Sequence, residues 1–272
     1  MKIKRVGIVA RHDMPERVAI ARDVASFLSG KVEIVVKDEL KSSLKRPAEP
    51  LSKMDVDVVV TVGGDGTILY TLQQNTAPVF GVNSGELGFL TEIQPSELSA
   101  GLTRLLSGDF QIEERTKVAT LRSGKSLPDA TNEAVLKAMR TSKMLRMRIE
   151  NDGDVIEEKL RADGVIVATP TGSTSYSMSA GGPIVDPRID AMIVVPIAAF
   201  KLSSRPYVFP ATSKLTIEML APGKDAIVML DGQSEESVAE GDRLEFTGST
   251  TKARFVRFRR HGFDRIRQHL VR

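Results

Sequence analysis

One run of residues has the composition of a phosphate-binding turn: Gly63, Gly64, Asp65, Gly66 and Thr67 lie between a strand signal and a helix signal. Glycines take positive φ values and bring bare N–H groups against a phosphate, and a helix N-terminus adds positive partial charge. Asp65 would repel phosphates, so it indicates a second task, such as accepting a proton from a hydroxyl or helping to place a magnesium ion. Taken alone, the run is explained more simply as a tight turn in which Asp65 caps the helix.

A second polar segment begins at Thr169 and ends at Pro183. Thirteen of its fifteen residues are small, hydroxylated, glycine or proline, a composition that presents hydroxyl and backbone groups to a polar ligand such as a nucleotide. A flexible Ser/Gly linker is the alternative. Tyr176 and the proline near each end of the segment argue against it.

The elements that must position these groups differ between the two parts of the chain. Residues 1–113 alternate strand and helix signals, which predicts an α/β doubly wound domain with a surface loop at 42–53. The predicted strands are 5–10, 32–36, 57–62 and 78–83, and the predicted helices are 15–28 and 68–74. The β-branched run at 57–62 is typical of a strand buried on both faces of a parallel sheet.

Short alternating runs after Phe110 predict a mostly-β second domain over 114–257. Its predicted strands are 117–122, 133–137, 145–150, 155–160, 164–168, 192–197, 214–220, 226–230 and 243–246. The sequence from Asn151 to Asp154 favours a tight hairpin turn. The arginine-rich tail, 258–272, is expected to pack back on the first domain.

Composition excludes several kinds of site. The chain has no cysteine and three histidines, which excludes disulfides, thiolate nucleophiles and zinc–thiolate sites and disfavours a His-based metal cage. No apolar run is long enough to span a bilayer, and no signal-peptide core is present. We expect a soluble, cytoplasmic protein without a membrane partner. Aromatic residues are few in the tail, and Phe258 and Phe263 are interpreted as core anchors, so no nucleic-acid partner is predicted.

Together these motifs resemble one family. Gly63–Thr67 is similar to the phosphate loop shared by NAD kinases, diacylglycerol kinases and sphingosine kinases, with a variant in phosphofructokinases. The other motifs resemble NAD kinases and stand in the family's order: residues 83–90, Asn132-Glu133, Asp163-Gly164, residues 169–183 and Asp231-Gly232-Gln233. The resemblance runs from about Val6 to Phe258 and implies the NAD kinase-like two-domain architecture.

The resemblance also implies roles for individual residues. Asp65 matches the general base that acts on the adenosine ribose 2′-hydroxyl of NAD, with Gly66 beside it, and Gly63, Gly64 and Thr67 match the phosphate-donor loop. The residues that match contacts of NAD are Asn132, Glu133, Lys143, Arg161, Asp163, Thr174, Ser175, Tyr176, Ser177, Met178, Ser179, Ala198 and Gln233. Ionised Glu133 and Asp163 would accept hydrogen bonds from amino and hydroxyl groups. Arg161 and Lys143 would balance these carboxylates or meet the pyrophosphate.

Two positions depart from the family pattern. Ser175 stands where many members carry alanine, and Glu86 stands where arginine is common. The resemblance further implies that ATP or polyphosphate donates the phosphoryl group, that a divalent cation, Mg²⁺, arrives with ATP rather than at a protein metal site, and that the chain forms a homodimer or homotetramer.

Three other functions remain open at the level of sequence. A lipid kinase of the diacylglycerol or sphingosine type would share only the glycine run. An NAD-dependent dehydrogenase would need Gly-x-Gly-x-x-Gly after the first strand, where this chain has Ala10-Arg11-His12-Asp13. A non-catalytic NAD-binding regulator would have lost its base, and Asp65 is present. The segment 119–126 fits a relaxed Walker A pattern, but it holds one glycine and is interpreted as a β-turn.

Overall fold

The computed structural model describes residues 2–85, 88–140, 144–201, 203–221 and 225–259, which form two units. Unit 1 contains residues 2–114 and 253–259, and unit 2 contains residues 115–252. Residues 253–257, which the sequence assigned to the second domain, therefore belong to unit 1. The predictions for Glu86, Lys143 and the tail from residue 260 onward concern residues outside the described ranges.

Unit 1 is built on a parallel sheet. Its strands and helices, in chain order, are β1 (Arg5–Ala10), α1 (Pro15–Leu28), β2 (Glu33–Lys37), α2 (Lys41–Leu44), β3 (Ala48–Glu49), β4 (Val58–Val62), α3 (Asp65–Gln74), β5 (Val79–Val82) and α4 (Leu98–Ser107). The strand order is β3-β2-β1-β4-β5, and every neighbouring pair is parallel. The order reverses between β1 and β4, the point at which open α/β sheets bind ligands beyond their carboxyl ends.

The sheet of unit 1 is covered on both faces, as the β-branched run predicted. All five residues of β4 are buried. Helices α1 and α4 pack against one face through residues such as Leu28 and Leu102, while α3 contributes a separate apolar cluster with Ile68 and Leu72. The prediction of a doubly wound α/β domain is confirmed.

Three local predictions for unit 1 need correction. The segment 42–53 is not a plain surface loop: it contains part of α2, strand β3 and a 3₁₀ turn at Leu51–Lys53, and it buries Leu44 and Leu51 in the core. Helix α4 was not predicted, although its leucines recur at helical spacing. Helix α3 begins at Asp65, three residues earlier than expected, so the carboxylate stands in the first turn.

Unit 2 is mostly β, and two of its strands extend into residues of unit 1. Its elements are β6 (Gln111–Arg122), β7 (Lys125–Ser126), β8 (Glu133–Ala138), β9 (Leu145–Asn151), β10 (Asp154–Ala162), β11 (Gly164–Ala168), α5 (Tyr176–Ser179), β12 (Ala191–Ile197), β13 (Tyr207–Pro210), β14 (Leu215–Met219), β15 (Ala226–Leu230), β16 (Ser234–Val238) and β17 (Arg243–Arg257). Strands β7, β13 and β16 were not predicted, because they are short and β16 is rich in glutamate and serine.

Two antiparallel layers share the core of unit 2. One layer has the order β13-β12-β11-β8-β15-β16, and the other contains the run β10-β9-β14-β17. Alternate residues of both layers, such as Val165 and Ile217, meet in one apolar cluster. The mostly-β architecture of the second domain is therefore confirmed.

Both predicted turns are present in unit 2. Asp152 and Gly153 have φ values of 53° and 91° in the hairpin that joins β9 to β10. Ser123 and Gly124 form the corresponding turn between β6 and β7, so the Walker-like segment is a β-hairpin and not a phosphate loop. Within the described ranges, no helix has the length and apolar character needed to cross a bilayer.

Candidate active site

The glycine run of unit 1 lies at the carboxyl end of β4, beside the reversal in strand order. The backbone N–H of Gly63 donates to the carbonyl of Val82 at 3.0 Å, which ties the run to β5. A Cβ atom on Gly63 would lie 2.2 Å from Oγ1 of Thr67, so a side chain is excluded there. Gly64 and Gly66 face open space, because no atom lies within 4 Å of a Cβ built on either residue. The turn therefore offers bare backbone to a ligand.

Asp65 is held by the segment that follows β5. Its Oδ2 accepts the backbone N–H of Phe89 at 2.8 Å, and its Oδ1 accepts that of Leu90 at 3.0 Å. A Cβ atom on Gly88 would lie 2.2 Å from Oδ1, so this close approach requires glycine. The side chain does not cap its own helix, so the simpler explanation of the run, a capping turn, is wrong.

Three segments of unit 2 meet at one end of the six-stranded layer. Glu133 begins β8 and pairs with Ala168, the last residue of β11, while Leu230, the last residue of β15, pairs with Ala134. The residues just outside these strand ends are therefore neighbours: Asn132, the loop from Thr169 onward and the turn at Asp231. This end of the layer gathers the predicted asparagine–glutamate pair and the hydroxyl loop.

Asp231 organises this end of the layer rather than facing a ligand. Its buried carboxylate accepts three consecutive backbone N–H groups, from Thr131 at 2.7 Å, Asn132 at 2.7 Å and Glu133 at 3.1 Å. The sequence placed the Asp231 turn among late substrate contacts, and no signal in the sequence pointed to this anchoring role. Gln233, from the same turn, is exposed.

Glu133 has an unusual electrostatic environment. Burial, together with the neighbouring charge of Asp231, raises its pKa to about 8, against a hydrogen bond from Ser175 that lowers it. Burial likewise raises the pKa of Asp231 to about 6, opposed by its three amide donors and the charge of Lys117. The raised pKa favours the protonated form of Glu133, whereas the sequence suggested an ionised acceptor. Its Oε2 is buried without a hydrogen-bond partner in the protein.

The hydroxyl loop is ordered by its own hydrogen bonds and is not a flexible linker. Thr169 Oγ1 donates to the carbonyl of Thr131 at 2.6 Å and accepts the N–H of Gly172 at 3.1 Å. A Cβ atom on Gly172 would lie 2.2 Å from the carbonyl oxygen of Asn132, so the loop packs directly on the strand start. The hydroxyl of Ser177, from α5, is buried and unpartnered in the protein.

The other predicted residues of the hydroxyl loop differ in exposure. Tyr176 and Ser179 are exposed, whereas Thr174, Ser175 and Met178 are half-buried. Of these, Ser175 makes the hydrogen bond to Glu133. The side chains of the loop therefore range in exposure from the buried Ser177 hydroxyl to the exposed Tyr176 ring.

Asp163 and Ala198 lie at the opposite end of the same layer. Arg161 belongs to β10 of the other layer, and its carbonyl accepts the backbone N–H of Phe200 at 2.8 Å. Asp163 precedes the first residue of β11, and its backbone N–H donates to Ile197 at 3.0 Å. The Arg161 guanidinium stands over the ring of Phe200 at 4.5 Å. Asp163 and Ala198 are separated from the Glu133 end by the length of β11, which is five residues at roughly 3.4 Å each. The structure thus brings together only part of the predicted NAD-binding set.

The residues of the described ranges contain no cluster of three or more histidine, aspartate or glutamate side chains suited to a metal ion. Mg²⁺ in kinase sites is held by one or two carboxylates together with substrate phosphates. Asp65 is the carboxylate of the glycine run, and both of its oxygens already accept N–H groups.

Comparisons with known proteins agree with this geometry. The family profile for the N-terminal domain of ATP-NAD kinases matches residues 6–110, and the profile for their C-terminal domain matches residues 131–258. The NAD kinase of Methanothermobacter thermautotrophicus is 45% identical over 98% of this chain and 96% of its own length. That of Thermococcus kodakarensis is 39% identical over 94% of this chain and 95% of its own.

Two solved structures share the fold. Yeast NADH kinase in complex with NADH superposes with a TM-score of 0.87 at 26% identity, covering 94% of this chain and 84% of its own. An NAD kinase from Archaeoglobus fulgidus in complex with ATP gives 0.78 at 29% identity, covering 98% and 97%. With both profiles matched in order and the glycine run and the Glu133 end built as described, the chain belongs to the NAD kinase family.

Proposed function

We propose that this protein phosphorylates NAD to NADP, with ATP or polyphosphate as the donor. The observation that carries the proposal is Asp65, a carboxylate fixed by two backbone amides beside an open glycine turn at the carboxyl end of β4. A phosphate chain on the bare amides of that turn would bring its terminal phosphorus close to this carboxylate. A lipid kinase would share the glycine run but not the whole family match, and a non-catalytic regulator would have lost Asp65.

In the proposed reaction the adenosine ribose 2′-oxygen attacks the terminal phosphorus of the donor. A bond forms between that oxygen and the phosphorus, the bond to the bridging oxygen breaks, and ADP or a shortened polyphosphate leaves. Asp65 takes the 2′-hydroxyl proton on an oxygen lone pair that the amides do not occupy. Its two amide partners keep the carboxylate oriented while the proton moves, so positioning supplies much of the rate.

The Glu133 end of unit 2 is the proposed contact for NAD. The unpartnered Oε2 of Glu133 and Oγ of Ser177 are buried polar atoms that a ligand group would satisfy. A neutral Glu133 both donates and accepts, which suits an adenine edge or a ribose hydroxyl. Arg161, Asp163, Ala198 and Gln233 are proposed only as outlying contacts.

The remaining expectations form part of the same proposal. A divalent cation enters with the donor and neutralises its phosphate charge. The protein acts in the cytoplasm as a homodimer or homotetramer. Assays across ATP, other triphosphates and polyphosphate, each with NAD and NADH, determine the donor and the acceptor.

Replacement of Asp65 by asparagine tests the catalytic role. We expect Asp65→Asn to lower kcat by roughly 10²–10⁴-fold, the usual contribution of a general base, while NAD still binds by calorimetry. Asp109→Asn is the matched control, because that exposed carboxylate pairs only with Arg104 among the contacts resolved. If wild-type protein forms no NADP with any donor, the proposed function is wrong; if Asp65→Asn keeps full kcat, only the role of Asp65 is wrong.

A further inference from the structure

A buried ion pair, Arg257 with Glu92, contacts the segment around Leu90 that holds Asp65. Arg257, at the end of β17, and Glu92 each have only 3% of their side-chain surface exposed, and Nη1 of the arginine donates to Oε2 of the glutamate at 3.0 Å. The second oxygen of Glu92 accepts the backbone N–H of Phe258 at 2.8 Å. Nε of Arg257 also donates to Glu113 at 2.9 Å. These groups all belong to unit 1.

Leu90 connects this pair to the carboxylate. Its carbonyl accepts Nη1 of Arg257 at 2.8 Å, and its own backbone N–H donates to Oδ1 of Asp65 at 3.0 Å. Arg257 therefore holds the carbonyl of Leu90, and the backbone N–H of the same leucine holds the carboxylate of Asp65. The main chain of Glu92 is also tied to the sheet, because its N–H donates to the carbonyl of Gly81 at 2.7 Å.

Stability alone does not account for such a pair. Removing two charges from water costs several kcal/mol per ion, and apolar side chains of similar volume often replace a buried pair with no loss of stability. The arginine does something that an apolar residue cannot do, since it donates to the Leu90 carbonyl while its charge is balanced. Glu92 and Glu113 both accept hydrogen bonds from the Arg257 guanidinium, so its position is fixed.

We propose that Arg257 and Glu92 are positioning residues for Asp65, acting through the backbone of Leu90. The proposal rests on the catalytic role proposed for Asp65. Without the guanidinium, the 88–92 segment keeps its fold but loses the bond that sets the Leu90 amide. The carboxylate then samples orientations in which it does not meet the ribose hydroxyl.

The test separates positioning from charge burial. In Arg257→Met/Glu92→Met both charges are removed together, so no unpaired ion remains inside; Glu113 keeps partial contact with water. We expect a folded variant with some loss of stability to urea, because the Leu90 carbonyl and the Phe258 N–H lose their partners. We also expect kcat lowered about 10–100-fold, as for loss of an outer-shell partner, and the KM for NAD changed less than about threefold. Arg254→Met, on the same strand with a half-buried side chain whose Nε lies 3.5 Å from Glu114, is the matched control and keeps wild-type kcat.

Two further variants decide the outcome if the double variant does not fold. Arg257→Lys keeps the charge against Glu92, so the protein still folds. A single ammonium cannot reproduce the planar fork that serves three acceptors, so kcat falls. Gly88→Ala places a methyl group against Asp65 Oδ1 and gives the same selective loss of kcat. Wild-type kcat in a folded double variant, or in Arg257→Lys, overturns the proposal. Failure of wild-type protein to make NADP overturns the proposed function instead, so the two failures are distinguishable.

Discussion

Two carboxyl groups show how neighbours decide the state of a side chain. Asp65 is half-buried and receives two amides, so its orientation is fixed. Glu133 is buried beside a second carboxyl and has one oxygen without a partner in the protein, and its pKa is raised to about 8. In the sequence both are acidic residues within matched motifs. Their different chemistry comes from contacts 24 to 98 residues away along the chain, which a motif does not encode.

The raised pKa of Glu133 predicts a pH dependence of stability. Its folded-state pKa is about 8 and its ordinary value is 4.5, so between these values the folded protein holds a proton that the unfolded chain has released. Stability should therefore fall as pH rises from about 4.5 to 8, by at most about 1.4 kcal/mol per pH unit from this group. Glutamine does not titrate, so the unfolding free energy of wild type minus that of Glu133→Gln should decrease across this window in urea titrations.

Glu236→Gln is the control for that experiment. A hydrogen bond from Lys125, with the charge of that lysine, lowers the pKa of Glu236 below its usual range. The stabilisation from this carboxylate is therefore lost as pH falls below about 4.5 and is constant above it. A difference for Glu133→Gln that stays flat between pH 5 and 8 would contradict a neutral, buried Glu133.

At the scale of elements, the site of unit 2 is made by strand ends. Register places the first residue of β8 opposite the last residue of β11, and the end of β15 beside both. Loops that are far apart in sequence thereby meet at one end of one layer. The same register sends Asp163 and Ala198 to the other end, which no inspection of motif order reveals. Register, and not motif spacing, decides which predicted residues lie at the same end of the layer.

A substitution at Gly172 tests how the hydroxyl loop packs on the start of β8. An added methyl group would meet the carbonyl of Asn132, a backbone atom that cannot rotate away. We expect Gly172→Ala to move the hydroxyl loop off β8 and to raise the KM for NAD about tenfold or more, equivalent to at least about 1.4 kcal/mol of lost binding. Steady-state kinetics at saturating donor measure it.

Gly153→Ala is the comparison for that variant. Gly153 has a φ of 91° in the β9–β10 hairpin, and no atom lies within 4 Å of the added Cβ. The strain of a left-handed alanine lowers stability by roughly 1–2 kcal/mol without touching the loop. An unchanged KM in both variants would mean that the packing of Gly172 on Asn132 does not shape the NAD contact.

Much of the fold was predictable from the sequence, and the reasons are local. The β-branched run of β4 and the apolar spacing of α1 indicate buried elements directly, and Asp152-Gly153 has the residues that a tight hairpin needs. Helix α2 and strand β3 were missed because Pro47 and Pro50 suggested a loop, while tertiary packing buries Leu44 and Leu51. The positions of Asp231 and Arg257 were beyond prediction, since their partners lie about 100 and 165 residues away.

At the scale of the molecule, each unit has its own apolar core, but only unit 2 is continuous in sequence. We therefore expect a fragment of residues 115–252 to unfold cooperatively when monitored by circular dichroism. A fragment of residues 1–114 lacks Phe255 and Val256, both fully buried, together with the arginine that pairs with Glu92. It should melt at a lower temperature than a version in which 253–259 is joined to it through a flexible linker. Equal melting temperatures would contradict this account of unit 1.

The late position of strand β17 in the sequence determines when Asp65 acquires its contacts during synthesis. Asp65 is synthesised early, whereas Arg257 follows about 190 residues later. At ribosomal speeds of roughly 5–20 residues per second, Arg257 is synthesised on the order of 10–40 s after the glycine turn. During that interval the segment around Leu90 has no arginine behind it, and a chain interrupted before residue 253 never acquires one. Translation that stops before residue 253 thus leaves Asp65, the proposed base, without the support of Arg257 through Leu90.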